Sequence, residues 1–232
     1  MIEQASIPGY LTTAQAARVS GLTAHRIGCL VRSGDIDAIK SGNTLLVNAA
    51  SLNRYAQANQ GRGRPMDAQT AFGALWLLSG LDASWLPYAR KRRLRLGLQT
   101  LTPEKLSWQL RKRSEVRRYR AGDSFLEALA GQLVLSGSSS AMLGQLGLLG
   151  QEGKVEGYCL AGELNDIEDS YFLRSNSDGN VVIRVAQWLP EDARGEMPIA
   201  VVAVDLTQSL DTRVRGAGMS TLGRLLDEYR SI

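Results

Sequence analysis

The chain has 232 residues, 44% of them apolar and 22% charged, with 24 Gly, 6 Pro, 2 Cys and a single His. At roughly 100–200 residues per domain, this length favours two domains whose cores need neither disulfides nor metals. One histidine excludes most metal sites, and two distant cysteines in apolar surroundings argue against a disulfide scaffold and for a reducing, cytoplasmic compartment. No stretch approaches the ~18 unbroken apolar residues of a membrane span, and the first ten residues carry no basic side chain, so neither membrane insertion nor export is expected.

The formal net charge of +4 conceals an asymmetry. Residues 1–60 carry five Lys/Arg against three Asp/Glu, residues 61–120 fourteen against four, and residues 121–232 eight against sixteen. A basic middle points to a polyanion, with nucleic acid the first candidate, and the acidic half needs a different role. The runs ARKRRLRLG (89–97) and LRKRSEVRRYR (110–120) fit either phosphate-facing surfaces or plain solvated faces.

The amino-terminal pattern begins with Thr12 and Gln15 at capping-box spacing, which predicts a helix from Thr13 to Ser20 ended by Gly21. Thr23 then caps a second helix whose Ile27, Leu30 and Val31 share one face and which stops at Gly34. Helix, glycine turn and helix is the helix-turn-helix pattern, whose second helix enters a major groove. Ile36 and Ile39, the polar Ser41-Gly42-Asn43, then Leu45 and Val47 predict two strands around a turn, with Asn48 capping a third helix through Leu52 and Tyr55.

This order, with its G-L turn and R-x-G-x-I-x-A segment, resembles the excisionase-type, MerR-like winged helix-turn-helix family over about fifty residues. The resemblance implies a DNA-binding face made of Thr23, Ala24, His25 and Arg26 at the start of the recognition helix, Arg32 near its end, and Lys40, Ser41 and Asn43 on the wing. Arg26 suits bidentate contact with guanine, and Arg32 and Lys40 suit phosphate. Each of these cations also has a bland reading as a solvated surface residue.

Gln57 to Pro65 is polar and glycine-bearing, as a linker should be. Within it, Arg62-Gly63-Arg64-Pro65 has the core of an AT-hook, in which two guanidinium groups flank a glycine that fits deep in an A·T minor groove. A plain flexible tether is the alternative. The domain reading is therefore residues 1–58 for the winged helix, 59–67 for a basic linker and 68–232 for the remainder.

Asp67 is a candidate cap for a helix bearing Ala71, Phe72, Leu75, Trp76 and Leu78 and ending at Gly80. A second helix is expected from Trp85 to about Gly97, and a third from Thr102-Pro103, with Arg111, Lys112 and Arg113 complementing the negative end of its dipole. The β-prone run Val116 to Arg120 projects Arg117, Arg118 and Arg120, which suit a phosphate backbone or an acidic partner.

Beyond it, helices are expected at Asp123–Ala130 and Ser138–Leu148, and strands at Val155–Leu160, Tyr171–Arg174, Val181–Ala186 and Ile199–Val204. Asp178-Gly179-Asn180 is a hairpin-turn signal, and Asp211 caps a last helix with Val214, Gly218, Leu222, Leu225, Leu226 and Tyr229 on one face. The fold class is α+β: a winged helix-turn-helix joined to a larger mixed α/β region.

Catalytic chemistry is sparse in this half. The Ser136–Ser140 run lacks the glycine of a nucleophile elbow and any histidine to activate a serine, and Gly153-Lys154 lacks the glycine five residues upstream that a phosphate loop requires. Asp205 and Asp211 have capping explanations, and Glu163, Asp166, Glu168 and Asp169 suit either Mg²⁺ or, more simply, an exposed charged loop. No enzyme and no cofactor is expected.

The ordered segments GRPMDAQTAFGALWLLSG, VRRYRAGDSFLEALA, LVLSGSSSAMLGQLG, KVEGYCLAGEL, GNVVIRV and VVAVDLTQSLDTRVRGAG-x3-LGRLL resemble the AbiEi-type winged-helix regulators over about 160 residues. These are antitoxins of type IV toxin–antitoxin systems. The resemblance implies a repressor of its own promoter that binds double-stranded DNA at inverted repeats and neutralises a co-encoded nucleotidyltransferase toxin. The alternative is an excisionase-like DNA-binding protein of a phage or mobile element, against which the roughly 160 further residues argue, or a simple repressor without a toxin partner.

Overall fold

A computed structural model describes residues 8–41, 44–59, 64–150, 153–176, 178–209 and 211–231. It divides into two compact units, Met1–Gly63 and Arg64–Ile232.

In the smaller unit, β1 (Tyr10–Thr12) leads into α1 (Thr13–Ser20), and α2 (Ala24–Arg32) follows. Then come β2 (Ala38–Ser41), β3 (Thr44–Asn48) and α3 (Ala49–Asn59). The capping box forms in both directions: Gln15 N–H donates to Thr12 Oγ1 at 3.2 Å, and Thr12 N–H to Gln15 Oε1 at 2.8 Å. Gly21 closes α1 in the left-handed region at φ 70°, as the glycine turn requires. Asn48 caps α3 by accepting from Ser51 N–H at 2.9 Å. The antiparallel sheet has the order β1-β3-β2. Its first strand is too short to show periodicity in the sequence. Ala16, Ile27, Leu30, Ile36, Val47 and Leu52 form the core.

The larger unit begins with α4 (Ala68–Leu78), α5 (Tyr88–Leu98) and α6 (Pro103–Gln109). Asp67 caps α4 as expected, accepting from Thr70 N–H at 2.9 Å. The second helix starts three residues later than Trp85, because Pro87 lacks an N–H and occupies its N-cap position. After β4 (Glu115–Arg120) come α7 (Leu126–Ala130), β5 (Val134–Leu135), β6 (Val155–Leu160) and α8 (Leu164–Ser170). β7 (Arg174–Ser175), β8 (Val181–Ala186), α9 (Ile199–Leu206) and α10 (Thr212–Arg230) complete the unit. The mixed sheet has the order β5-β6-β8-β4-β7, with only the central β6–β8 pair parallel. Alternation along the strands divides the core: Tyr158 and Ala186 join α4, α9 and α10 on one face, while Val155, Cys159, Val181, Ile183 and Val185 join α7 and α8 on the other.

Five further expectations are corrected. Ile199–Val204 is helix, not strand. All seven residues from Ala200 to Leu206 are buried, and an apolar run closed on every side has no periodicity to distinguish the two forms. Ser138–Leu148 forms 3-10 turns at Gly137–Ser139 and Ala141–Leu146 instead of an α-helix. There the serines bond elsewhere: Ser138 to Glu156, Ser139 to Lys154 O and Ser140 to Glu196. The acidic segment from Glu163 is not a loop but α8, and the strand expected at Tyr171–Arg174 shrinks to Arg174–Ser175. Asp178-Gly179-Asn180 joins no hairpin, because β4 lies between β7 and β8. Instead Gly179 passes the end of β4 so closely that a Cβ would lie 1.9 Å from Tyr119 O.

The largest departure concerns charge. Arg113 and Arg184 are 1% and 3% exposed, and Glu156 and Asp205 accompany them inside. Arg113 and Ser136 both donate to Asp205, and Tyr158 Oη donates to it at 2.7 Å and accepts from Arg113 Nε at 3.0 Å. Arg184 donates to Glu156 Oε1 through Nε at 2.9 Å and Nη2 at 2.7 Å, and its Nη1 lies 3.3 Å from Asp205 Oδ1. Asp205 is therefore not a cap, and Arg113 combines the expected bond to the end of α6 (Leu110 O, 3.1 Å) with a buried ion pair. Burial disfavours charge on both arginines, but the surrounding oxygens outweigh it and hold both guanidinium groups above their ordinary pKa. Burial pushes the Tyr158 hydroxyl well up, so it remains protonated.

Candidate nucleic-acid interface

The recognition element is built by a cap and an apolar anchor. Thr23, with extended backbone, accepts from Arg26 N–H at 3.2 Å and sets the first turn of α2. Ile27 and Leu30 are fully buried, which fixes the helix by one side. The opposite side then presents Ala24, His25 and Arg26 to solvent in the first turn. Neither His25 nor Arg26 makes a salt bridge among the described residues. Orphan N–H groups and the positive end of the dipole coincide here with an exposed guanidinium, a combination suited to phosphate or guanine.

His25, Cys29 and Arg32 follow one another at i, i+4 and i+7 on α2. Cys29 Sγ lies 3.8 Å from His25 Nδ1 and accepts from Arg32 Nη2 at 3.2 Å. Arg32 is exposed at the end of the helix, and Lys40 is exposed on β2 opposite Leu45. Ser41 ends β2. Asn43 at the wing turn and Arg62 of the linker lie outside the described residues. Arg64, exposed, belongs to the larger unit.

The arginines of β4 do not form one strip. Side chains alternate along β4, an inner strand, so Arg118 and Arg120 point to one face of the sheet and Arg117 to the other. Arg117 is paired with Glu115 at 2.9 Å and approaches Glu168 at 3.9 Å. Arg118 is half-buried, and exposed Arg120 stands opposite Arg174, a cation not singled out in the sequence. On α5, Lys91 is held by Asp82 at 2.7 Å, whereas Arg90, Arg92 and Arg93 are exposed without a salt bridge among the described residues. Among the described residues, no group of three or more His, Cys, Asp or Glu is placed to hold a metal, and no helix is long and apolar enough to cross a membrane.

Glu156, Tyr158 and Arg184 escaped the sequence reading. A lone charge inside each of the apolar runs Val155–Leu160 and Val181–Ala186 was the available signal, because a charge on the inner face of a strand has to meet its opposite. No curated protein and no solved structure matches the chain. Residues 10–60, the stretch from β1 through α3, match a helix-turn-helix domain family, and a DNA-binding element of this type is what their geometry supports.

Proposed function

We propose that the protein is a sequence-specific DNA-binding transcriptional regulator, not an enzyme, acting in the cytoplasm as the self-repressing antitoxin of a type IV toxin–antitoxin pair. The observation that carries the DNA-binding part is the capped first turn of α2, held by buried Ile27 and Leu30 with Ala24, His25 and Arg26 facing out. In this reading Arg26 contacts a guanine edge and Arg32 and Lys40 contact phosphates, with Ser41 and Asn43 at the wing. Arg62 and Arg64 lie in an adjacent A·T-rich minor groove. If roughly six phosphates are neutralised, log K falls against log salt with a slope near −5, measurable by fluorescence anisotropy with the promoter fragment. A slope near zero would remove DNA as the partner.

The acidic half is ill suited to DNA and takes the neutralising role. Supporting this, exposed Asp166 and Asp169 lie on α8 shortly before Phe172, which is 72% exposed and sits in the left-handed region at φ 50°. An exposed aromatic amid carboxylates suits a basic protein surface. The test is growth rescue beside the nucleotidyltransferase toxin that this reading requires in the same operon, using the full chain with Arg26→Ala and Arg32→Ala. Rescue at the wild-type level is expected. Loss of rescue would mean that neutralisation runs through DNA, as in a simple repressor.

A further inference from the structure

The face of the larger sheet that carries Tyr158 and Arg184 is sealed by Asp205 of α9, but only over part of its length. One step toward the start of β6 and β8, Glu156, Val182 and Arg118 stand in register across three strands. They line a cleft of about 320 Å³, within the range of small-molecule sites. We infer that this cleft binds a small organic anion with an apolar body, such as an aromatic or medium-chain carboxylate.

Three observations carry the inference. The walls are apolar: Leu143, Leu148, Leu206 and Val214 line the cleft, and Leu149, also lining it, is 92% exposed. An apolar ligand body would cover that surface. The floor is already neutralised, because Arg184 is bonded to Glu156 and its Nη1 donates to Gln208 Oε1 at 2.6 Å. It therefore offers shape and polarity but no unmatched charge.

The rim supplies the charge. Arg118 and Lys154 line the cleft, and neither side chain has a hydrogen bond or ion pair among the described residues. They rise from the two strand lines flanking β8, roughly 10 Å apart across the sheet, a gap that two long side chains can close on one acid group. Of the two rim carboxylates, Asp211 keeps its charge but is held by Arg213 and Val214 N–H in the first turn of α10, where the positive end of the helix dipole offsets part of it. The two cations, unpartnered among the described residues, are the groups left to meet an anion. The site lies wholly within the larger unit and does not depend on the DNA-binding reading.

The test titrates the full chain with 1-anilinonaphthalene-8-sulfonate, an apolar anion whose fluorescence rises on binding, and displaces it with benzoate or with neutral benzamide. One saturable site is expected, with benzoate competing about tenfold better than benzamide. Arg118→Gln with Lys154→Gln, whose melting temperature checks the fold, is expected to weaken the dye by at least about tenfold. No saturable binding, or equal competition by benzoate and benzamide on the wild-type chain, would overturn the inference. So would a folded double variant that loses less than this.

Discussion

Arg26 and Arg32 of the smaller unit stand in water on α2, whereas Arg113 and Arg184 of the larger unit are 1% and 3% exposed among Glu156, Tyr158 and Asp205. The side chain is the same, but its energetic role is set by what it has lost in leaving water. An exposed guanidinium keeps its hydration and contributes almost nothing to folding, so it is available for an external anion. A buried one has forfeited hydration and is tolerable only while its partners remain, so it cannot be spared for a ligand. Overall charge counts therefore overstate the free cation of the basic middle, because Arg113 is committed internally and Arg117 to Glu115.

The strongest attack on this contrast is Asp205→Ala. Removing one carboxylate leaves two buried arginines short of a counter-ion, and the larger unit should lose roughly 3–5 kcal/mol. All four tryptophans (Trp76, Trp85, Trp108 and Trp188) lie in that unit, so urea unfolding followed by their fluorescence isolates it. A loss below about 1 kcal/mol would mean that the network is dispensable.

Next in size is Arg26→Ala, expected to leave stability within about 0.5 kcal/mol of wild type while reducing discrimination between promoter and random DNA by about 1–3 kcal/mol. Arg32→Ala should weaken both DNAs by the same factor, as a phosphate contact does. The reverse pattern in a competition titration would show that α2 sits in the groove by its other end.

The smallest effect concerns the two thiols. Burial, assisted by the nearby carboxylates Glu163 and Glu168, pushes the Cys159 thiol up to about 11, whereas Cys29 is half-buried on α2. Because the folded pKa is raised, the contribution of Cys159 is complete below its unfolded value and is lost as pH climbs from about 9 to about 11. That loss should amount to about 1–2 kcal/mol and be absent in Cys159→Ala. At pH 8, iodoacetamide should modify Cys29 and spare Cys159, and promoter DNA should protect Cys29. Mass spectrometry reads both, and equal labelling of the two cysteines would contradict the burial.

The smaller unit was legible because its signals are local. A capping box, a glycine in the left-handed region and an i, i+3, i+4 apolar face each act within four residues, and all three appear in the structure where the sequence placed them. The failures in the larger unit share the opposite cause. Whether Ile199–Leu206 is helix or strand depends on being surrounded by α4 and α10, and whether Asp205 caps or pairs depends on Arg113, 92 residues away. Among the candidate contacts, the first turn of α2 was placed together, but the β4 arginines were not, because alternation along a strand, a signal the sequence already carried, separates Arg117 from Arg118 and Arg120.

The late position of Asp205 in the chain also bears on synthesis. The smaller unit has all its strands and helices by Asn59, but Arg113, Tyr158 and Arg184 wait for a carboxylate from a helix near the other end of the polypeptide. At roughly 5–20 residues per second, a nascent chain spends on the order of ten seconds with the first unit complete and the second unable to close. For most of that interval Arg113 has been made and Asp205 has not. A chain released early, short of α9, would carry a finished helix-turn-helix without a finished companion, and premature termination would thus produce a DNA binder uncoupled from the function of the larger unit.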